Sequence, residues 1–309
     1  MAAQKWTTAQ IPALNGKTAL ITGANSGIGY RAAEELARHG AHVVLGCRNA
    51  AKGADALARL RAEVPGASAE VALIDVSSIA DVKRFAAEFL GGHRTLDLLI
   101  NNAGVMALPT RELTPEGFER QFATNHLGHF ALTGLLMPVL LAAPAPRVVT
   151  VASLAHRAGK IHFDDLQMAK KYKPWDAYGQ SKLANILFAR ELARRAAGTP
   201  LLSLPVHPGV SVTSIIDNGP GGRDLKMRLY KVIAPVLMQS DAAGALPTLY
   251  AATSPDARSG EYIGPDGFME IKGSPAVVKP RKNGLDEAAG KRLWEVSEQL
   301  TGVVYPTLA

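Results

Sequence analysis

The chain has a single cysteine, Cys47, so no intramolecular disulfide can form and a reducing compartment is compatible with it. A redox role for Cys47 lacks a partner thiol, and an ordinary small residue after a strand is expected there. Long apolar runs are also missing. The most apolar stretch, His129 to Pro146, is interrupted by Gly134, Pro138 and Pro144, too soon to span a bilayer. The opening MAAQKWTTAQIPALNG has no apolar core of the secretory kind. A cytoplasmic protein without stable membrane insertion is the expectation. Dense Lys/Arg blocks and basic aromatic stripes are absent too. Lys plus Arg exceed Asp plus Glu by 34 to 27, but the excess is spread along the chain, which argues against a nucleic-acid partner and suits a phosphorylated small molecule. No Pro/Gly/Ser-rich linker or internal repeat divides the sequence, so residues 1–309 are read as one domain.

Apolar residues make up 47% of the chain, enough for a large buried core. Short apolar runs alternate with longer helical patterns. Lys17–Thr22, His42–Leu45, Glu70–Ile74, Leu96–Ile100, Arg147–Val151 and Leu201–Val206 read as strands, with a seventh near Glu261–Ile263. Near-continuous apolar strands of this length suit a sheet covered on both faces. Helical patterns at Gly29–His39, Ala54–Glu63, Ile79–Leu90 and Phe118–Leu141 separate them, which predicts an α/β, doubly wound parallel sheet of about seven strands with helices on both faces. Two segments break the alternation, Ala155–Ala177 and Val210–Ser240. Both follow the C-terminal ends of strands, where open α/β sheets bind ligands.

The first strand runs into Thr22-Gly23-Ala24-Asn25-Ser26-Gly27-Ile28-Gly29 and then a helix. Glycines there allow a tight turn and let a pyrophosphate approach the backbone at the positive end of the helix. The spacing T-G-x-x-x-G-x-G resembles the short-chain dehydrogenase/reductase family, whose Rossmann-type fold binds NAD(H) or NADP(H). At the end of the second strand an acidic residue would bind a ribose 2′-hydroxyl, whereas an arginine welcomes a 2′-phosphate. The chain reads Gly46-Cys47-Arg48-Asn49, with Lys52 close behind and no carboxylate, so NADP(H) is the expected cofactor. Arg48 would grip the phosphate, helped by Ser26 or Asn25.

The resemblance carries further assignments. Asp75-Val76 matches the position that contacts the adenine ring. Asn101-Asn102-Ala103-Gly104 matches the family's N-N-A-G, in which Asn102, Ala103 and Gly104 line the cofactor and Asn101 braces the backbone. Tyr178 and Lys182, four apart on a helical pattern, place a phenol and an ammonium over one pocket. A nearby Lys⁺ and the oxidised nicotinamide would lower the phenol from its ordinary ~10 towards working pH, as a general acid/base requires. The family match also implies Ser153 as the hydroxyl that polarises the substrate carbonyl, Lys182 as a ligand of the nicotinamide ribose, and Asn125 as holder of a relay water. Ala152 departs from many relatives, which have a second serine there. Pro208, Gly209, Val210 and Thr213 resemble the family's loop over the nicotinamide.

Similarity extends from about Trp6 to Val303. The phrases SLAHRAGKIHF, SKLANILFARELARR and LWEVSEQLTGV look most like the retinol-dehydrogenase and protochlorophyllide-reductase-like branch. That branch implies NADP(H) and a bulky lipophilic carbonyl or alcohol as the small-molecule substrate. Leu225–Met238 is then expected to be a substrate lid within 210–240 rather than a membrane-surface helix, with Phe163, Met168, Trp175 and Tyr230 as an apolar wall. His126, His129 and His156 lack companions at metal-ligand spacing and are read as structural. Relatives pair through the helices carrying Asn125 and Tyr178, so a homodimer or homotetramer is open. Two other classes compete with the carbonyl reductase/alcohol dehydrogenase reading. Sugar-nucleotide epimerases and dehydratases share Tyr-x-x-x-Lys but resemble T-G-x-x-G-x-x-G. An NADP(H)-binding redox sensor without significant turnover would tend to lose a catalytic residue, and here none is lost.

Overall fold

A computed structural model describes residues 5–210 and 239–308. The strands are β1 (Thr18–Thr22), β2 (His42–Cys47), β3 (Ala69–Leu73), β4 (Leu98–Asn101), β5 (Arg147–Val151), β6 (Leu202–Val206), β7 (Tyr262–Pro265) and β8 (Pro275–Val278). They form one sheet in the order β3-β2-β1-β4-β5-β6-β7-β8. All neighbours are parallel except β8, which runs antiparallel to β7. Among the described residues the sheet therefore has eight strands where the sequence predicts about seven. β8 is a four-residue edge strand that opens on Pro275 and leaves Val277 exposed, so it has neither the length nor the apolar continuity that marks the interior strands.

Successive strand residues face opposite sides, and both sides are buried. Leu20, Val44, Leu99 and Val148 join one core cluster, whereas Ala19, Ile21, Val43, Leu45, Ile100 and Val149 join the other. The second cluster is covered by α1 (Gly27–Arg38), α2 (Ala50–Glu63) and, later in the chain, the helix Asp241–Thr253. The first is covered by α3 (Ile79–Gly92), a helical stretch at Arg120–Leu141, and two longer helices.

Arg120–Leu141 is not one helix. It comprises α4 (Arg120–Phe122), a π-helical turn at Ala123–Leu127, α5 (Gly128–Leu135) and, after a break at Leu136, α6 (Met137–Leu141) with Pro138 in its first turn. Proline is tolerated there because first-turn N–H groups have no intrahelical acceptor. The π turn brings Asn125 to the site. Gly128 follows it because a Cβ there would stand 1.8 Å from the Val76 carbonyl oxygen. α2 starts at Ala50, earlier than the pattern suggests, since Asn49 caps it by accepting from the Lys52 N–H at 3.0 Å.

The remaining helices among the described residues are α7 (Pro174–Arg195), α8 (Asp241–Thr253) and α9 (Glu287–Thr301). α9 lies over α5 and α7: Trp294 stacks on Phe188 at 5.9 Å and meets Phe130 edge-on at 5.1 Å, and the Tyr305 hydroxyl donates to the Phe130 carbonyl at 2.7 Å. Among the described residues, no helix is long and apolar enough to cross a membrane. Thr213, Tyr230 and the lid expected within 210–240, beyond Val210 and before Gln239, lie outside the described residues.

Candidate active site

The C-terminal ends of the parallel strands line up along one edge, as the topology requires, and the chemistry-bearing side chains gather there. After β1 the chain turns through Gly23 (φ 67°) and Gly27 (φ 60°), left-handed conformations that favour glycine. Gly29 is demanded by space instead. A Cβ there would lie 2.4 Å from Asn102 Nδ2 and 2.6 Å from the Gly23 carbonyl oxygen. Asn102 Nδ2 donates to the Thr22 carbonyl at 2.8 Å, and Thr22 Oγ1 accepts from the N–H groups of Asn102 and Ala103 at 2.9 and 3.0 Å. Asn102 thus braces the glycine loop.

Thr22 also reaches a residue that the sequence leaves as merely structural. With two N–H groups arriving at its oxygen, its hydroxyl hydrogen is available to His129 Nε2 at 2.9 Å. His129 Nδ1 stands 3.1 Å from the Asn125 carbonyl, which can only accept, so the proton sits on Nδ1. Burial holds this imidazole down at about 4, that is, neutral. His129 therefore joins the end of β1 to the π turn. His126 is pushed down to about 3 by burial and by His129, with Nε2 2.9 Å from Ser297 Oγ. These partners agree with structural roles.

Asn125 is fully buried. Its side chain accepts from the Val105 N–H at 2.8 Å and donates to the Val105 carbonyl at 2.9 Å and to Ser181 Oγ at 2.8 Å. It pins the loop after β4 to α7. Its Oδ1 stands 3.1 Å, and Lys182 Nζ 3.5 Å, from where a Cβ on Gly104 would be. Gly104 thus lets the loop lie against both groups.

Ser153 follows β5 and caps a short 3-10 turn, with its hydroxyl accepting from the Ala155 N–H at 3.2 Å. The buried His156 holds the turn by donating from Nδ1 to the Ser153 carbonyl at 2.7 Å. Tyr178 and Lys182 sit on α7, with Nζ 5.8 Å from the phenol ring centroid. Burial pushes the Tyr178 phenol above its ordinary value, and a hydrogen bond with Ser153 opposes that rise. Burial likewise pushes Lys182 down to about 8, while Nζ donates to the Val151 carbonyl at 2.9 Å. The sequence predicts a phenol lowered by Lys⁺; in this structure removal from water sets the direction and the phenol lies above its ordinary value.

Arg48 is exposed at the end of β2 and makes no hydrogen bond or ion pair among the described residues, while Lys52 is exposed on α2. Asn49 is occupied as the α2 cap. Arg59, unmarked in the sequence, reaches from α2 to the Asn25 carbonyl at 2.8 Å and lies 4.3 Å over the Tyr30 ring. Asp75 accepts from the N–H and hydroxyl of Ser77 at 2.9 and 2.6 Å, and Val76 is buried against α5. The loop after β6 begins with Pro208, Gly209 and Val210. It is tied to the β7–β8 turn by the Val210 N–H bond to the Ile271 carbonyl at 2.9 Å. Beside it His207 Nε2 donates to Glu270 at 2.9 Å, and Glu270 pairs with Arg157 at 2.7 Å. Burial favours a neutral Glu270, but bonds from His207 and the charge of Arg157 prevail and hold its carboxyl below the ordinary range. This latch joins the Ser153 turn to the Pro208 loop across a sequence separation no local pattern reveals.

Of the expected apolar wall, Trp175 stands edge-on to Tyr178 at 6.0 Å and is 60% exposed. Phe163 instead packs against the core under Arg292, and Met168 is buried. Cys47 is buried, and burial drives its thiol up to about 11, consistent with an inert residue.

The family model for short chain dehydrogenases matches residues 17–219. The chain belongs to the short-chain dehydrogenase family. Within it the chain falls in the retinol-dehydrogenase-like branch. Retinol dehydrogenase 12 of Mus musculus is 41% identical over 96% of this chain and 89% of its own length. Retinol dehydrogenase 14 of Homo sapiens is 38% identical over 94% and 88%. Among solved structures, an uncharacterized protein from Mycobacterium paratuberculosis is 40% identical with a TM-score of 0.81, covering 98% of this chain and all of its own. A protein from Beutenbergia cavernae, assigned as an NAD(P)-dependent gluconate 5-dehydrogenase and holding NADP at low occupancy, is 25% identical. Its TM-score is 0.62, with 81% and 95% of the two chains covered. This short-chain dehydrogenase is an oxidoreductase acting on the carbonyl/alcohol pair of a small molecule.

Proposed function

We propose that the chain is an NADP(H)-dependent carbonyl reductase/alcohol dehydrogenase for a bulky lipophilic substrate, with Tyr178 as general acid/base. The observation that carries this reading is the convergence of Ser153, Tyr178 and buried Lys182 beside the Gly104 loop, along the same sheet edge as the Gly23–Gly29 turn.

The residues fit a dinucleotide. Gly27 opens α1 in a left-handed conformation, and among the described residues no atom outside its own stretch of chain lies within 4 Å of where its Cβ would be, which leaves space for a pyrophosphate at the positive end of that helix. Exposed Arg48, with Lys52 nearby, suits a 2′-phosphate, and no carboxylate stands at that position to repel one. Asn25, Ser26, Ile28, Asn49, Asp75, Val76, Ala103, Pro208, Gly209 and Val210 border the same edge and would complete the contacts. Bound there, the nicotinamide supplies or accepts the hydride. Ser153 Oγ then donates to the substrate oxygen, and Tyr178 Oη gives or takes its proton. Lys182, charged below about pH 8, favours the phenolate and offers its N–H groups to ribose hydroxyls. Asn125 and His129 keep the Gly104 loop and β1 in register with α7.

A lipophilic substrate is supported by relatives named for retinol and by Trp175, an exposed apolar surface beside Tyr178. Pairing through α5 and α7 would meet α9, which already packs on Phe130 and Phe188. The test is Tyr178→Phe. NADPH binding, read by nucleotide fluorescence, should persist while carbonyl reduction falls by several orders of magnitude. Normal turnover by this variant would remove Tyr178 from the mechanism.

A further inference from the structure

At the opposite edge of the sheet, the strand starts gather three donor groups that the proposed reaction does not use. His42 opens β2, Glu70 lies on β3, and His93 is the C-cap of α3. Their donor atoms all lie within 4.8 Å of one another. Nε2 of His93 and Nε2 of His42 stand 3.4 and 3.7 Å from the same oxygen, Oε1 of Glu70.

The other nitrogens of both rings are taken. His93 Nδ1 stands 3.2 Å from the Phe89 carbonyl, which can only accept, so Nδ1 carries hydrogen and the lone pair of the neutral ring is on Nε2. The same ring stacks on Phe89 at 4.0 Å and 7°, which fixes its plane. His42 Nδ1 meets Ser68 Oγ at 2.8 Å, which leaves Nε2 as the ring nitrogen turned toward Glu70. Both rings thus turn Nε2 toward one carboxylate oxygen.

A direct charge-assisted hydrogen bond spans ~2.7–2.9 Å. The separations of 3.4 and 3.7 Å are longer. They match instead the spacing of neighbouring donors around a tetrahedral ion. Bonds of ~2.0–2.1 Å to nitrogen or oxygen place such donors about 3.4 Å apart.

We propose that His42, Glu70 and His93 form a binding site for a divalent first-row transition-metal ion, with Zn²⁺ the best match. Two imidazoles and a carboxylate suit zinc, nickel or copper and not magnesium or calcium. The residues are partly exposed, so water completes the coordination. Phe89 and Ser68 act as outer partners that fix the tautomers. The ion would clip β2 to the edge strand β3 and to the end of α3. Because the site lies at the starts of the strands, it is independent of the proposed oxidoreductase chemistry.

The experiment uses tag-free, chelator-treated protein titrated with Co²⁺, followed by its visible d–d absorption, with Zn²⁺ then added as competitor. The expected result is saturable binding at a single site, displacement by Zn²⁺ and a Zn²⁺-dependent rise in Tm. Glu70→Gln and His93→Ala should lose both responses while keeping wild-type circular dichroism. Ser68→Ala should weaken binding by roughly 10–100-fold. No saturable binding overturns the proposal. So does binding that survives unchanged in Glu70→Gln and His93→Ala, since other surface groups would then hold the ion.

Discussion

Gly29→Ala gives the sharpest mechanical test of how the nucleotide loop is built. The added Cβ would stand 2.4 Å from Asn102 Nδ2 and 2.6 Å from the Gly23 carbonyl oxygen, about 1 Å inside ordinary contact. Asn102 can swing away only by giving up its 2.8 Å bond to the Thr22 carbonyl. The Gly23 oxygen belongs to the backbone and can move only with the loop. Overpacking of this kind costs about 1–3 kcal/mol, and an abandoned buried carbonyl adds about 1–3 kcal/mol. A total near 3 kcal/mol lowers Tm by roughly 5 °C in a chain of this size. Differential scanning calorimetry reads the stability loss, and NADPH fluorescence titration reads the displaced loop. Adding Asn102→Ala removes the side-chain clash but leaves the backbone one, so the double variant should recover part of the loss. Wild-type Tm and NADPH affinity in Gly29→Ala, or strictly additive losses in the pair, would refute the packing argument.

Arg48→Asp should weaken NADPH far more than NADH, because it sets a carboxylate beside the 2′-phosphate; unchanged relative affinities in a binding titration would remove Arg48 from cofactor choice. Lys182 is held at about 8 against an ordinary 10.5, so its burial disfavours the folded state fully below pH 8, and that cost disappears as pH rises through 10.5. At ~1.4 kcal/mol per pH unit the cost is on the order of 3 kcal/mol. Lys182→Met should therefore raise stability in urea melts near neutral pH, by a margin that shrinks towards pH 10.5, while abolishing activity. His126 and His129 fold neutral, at about 3 and 4 against an ordinary 6.5, so their stability contribution is present above 6.5 and lost as pH falls towards 4. Each should cost about 2 kcal/mol between roughly pH 7 and roughly pH 5, and His129→Gln should flatten that pH dependence in urea melts.

The interior strands were legible because each is a short apolar run buried on both faces, and Arg147–Val151 has the bounds its sequence suggests. β8 was not, being short, half-exposed and led by proline. The helix predicted over Phe118–Leu141 conceals a π turn that only packing against the loop after β4 requires, through Asn125 and Val105. Glycine spacing and Tyr-x-x-x-Lys announce the site because backbone geometry and helix periodicity are local. The contacts that hold it are not local. Thr22 meets His129, and His207 meets Glu270 and through it Arg157, across long stretches of chain. Burial also decides the sign at Tyr178, and no spacing rule conveys how dry that pocket is.

The measurement that bears most directly on the central claim is oxidation of NADPH, with NADH in parallel, against ketones and aldehydes graded from small to bulky and lipophilic. Turnover that prefers NADPH and rises with the apolar bulk of the carbonyl is the predicted result. Tight NADPH binding with no turnover on any carbonyl, or turnover indifferent to the two nucleotides, would contradict it.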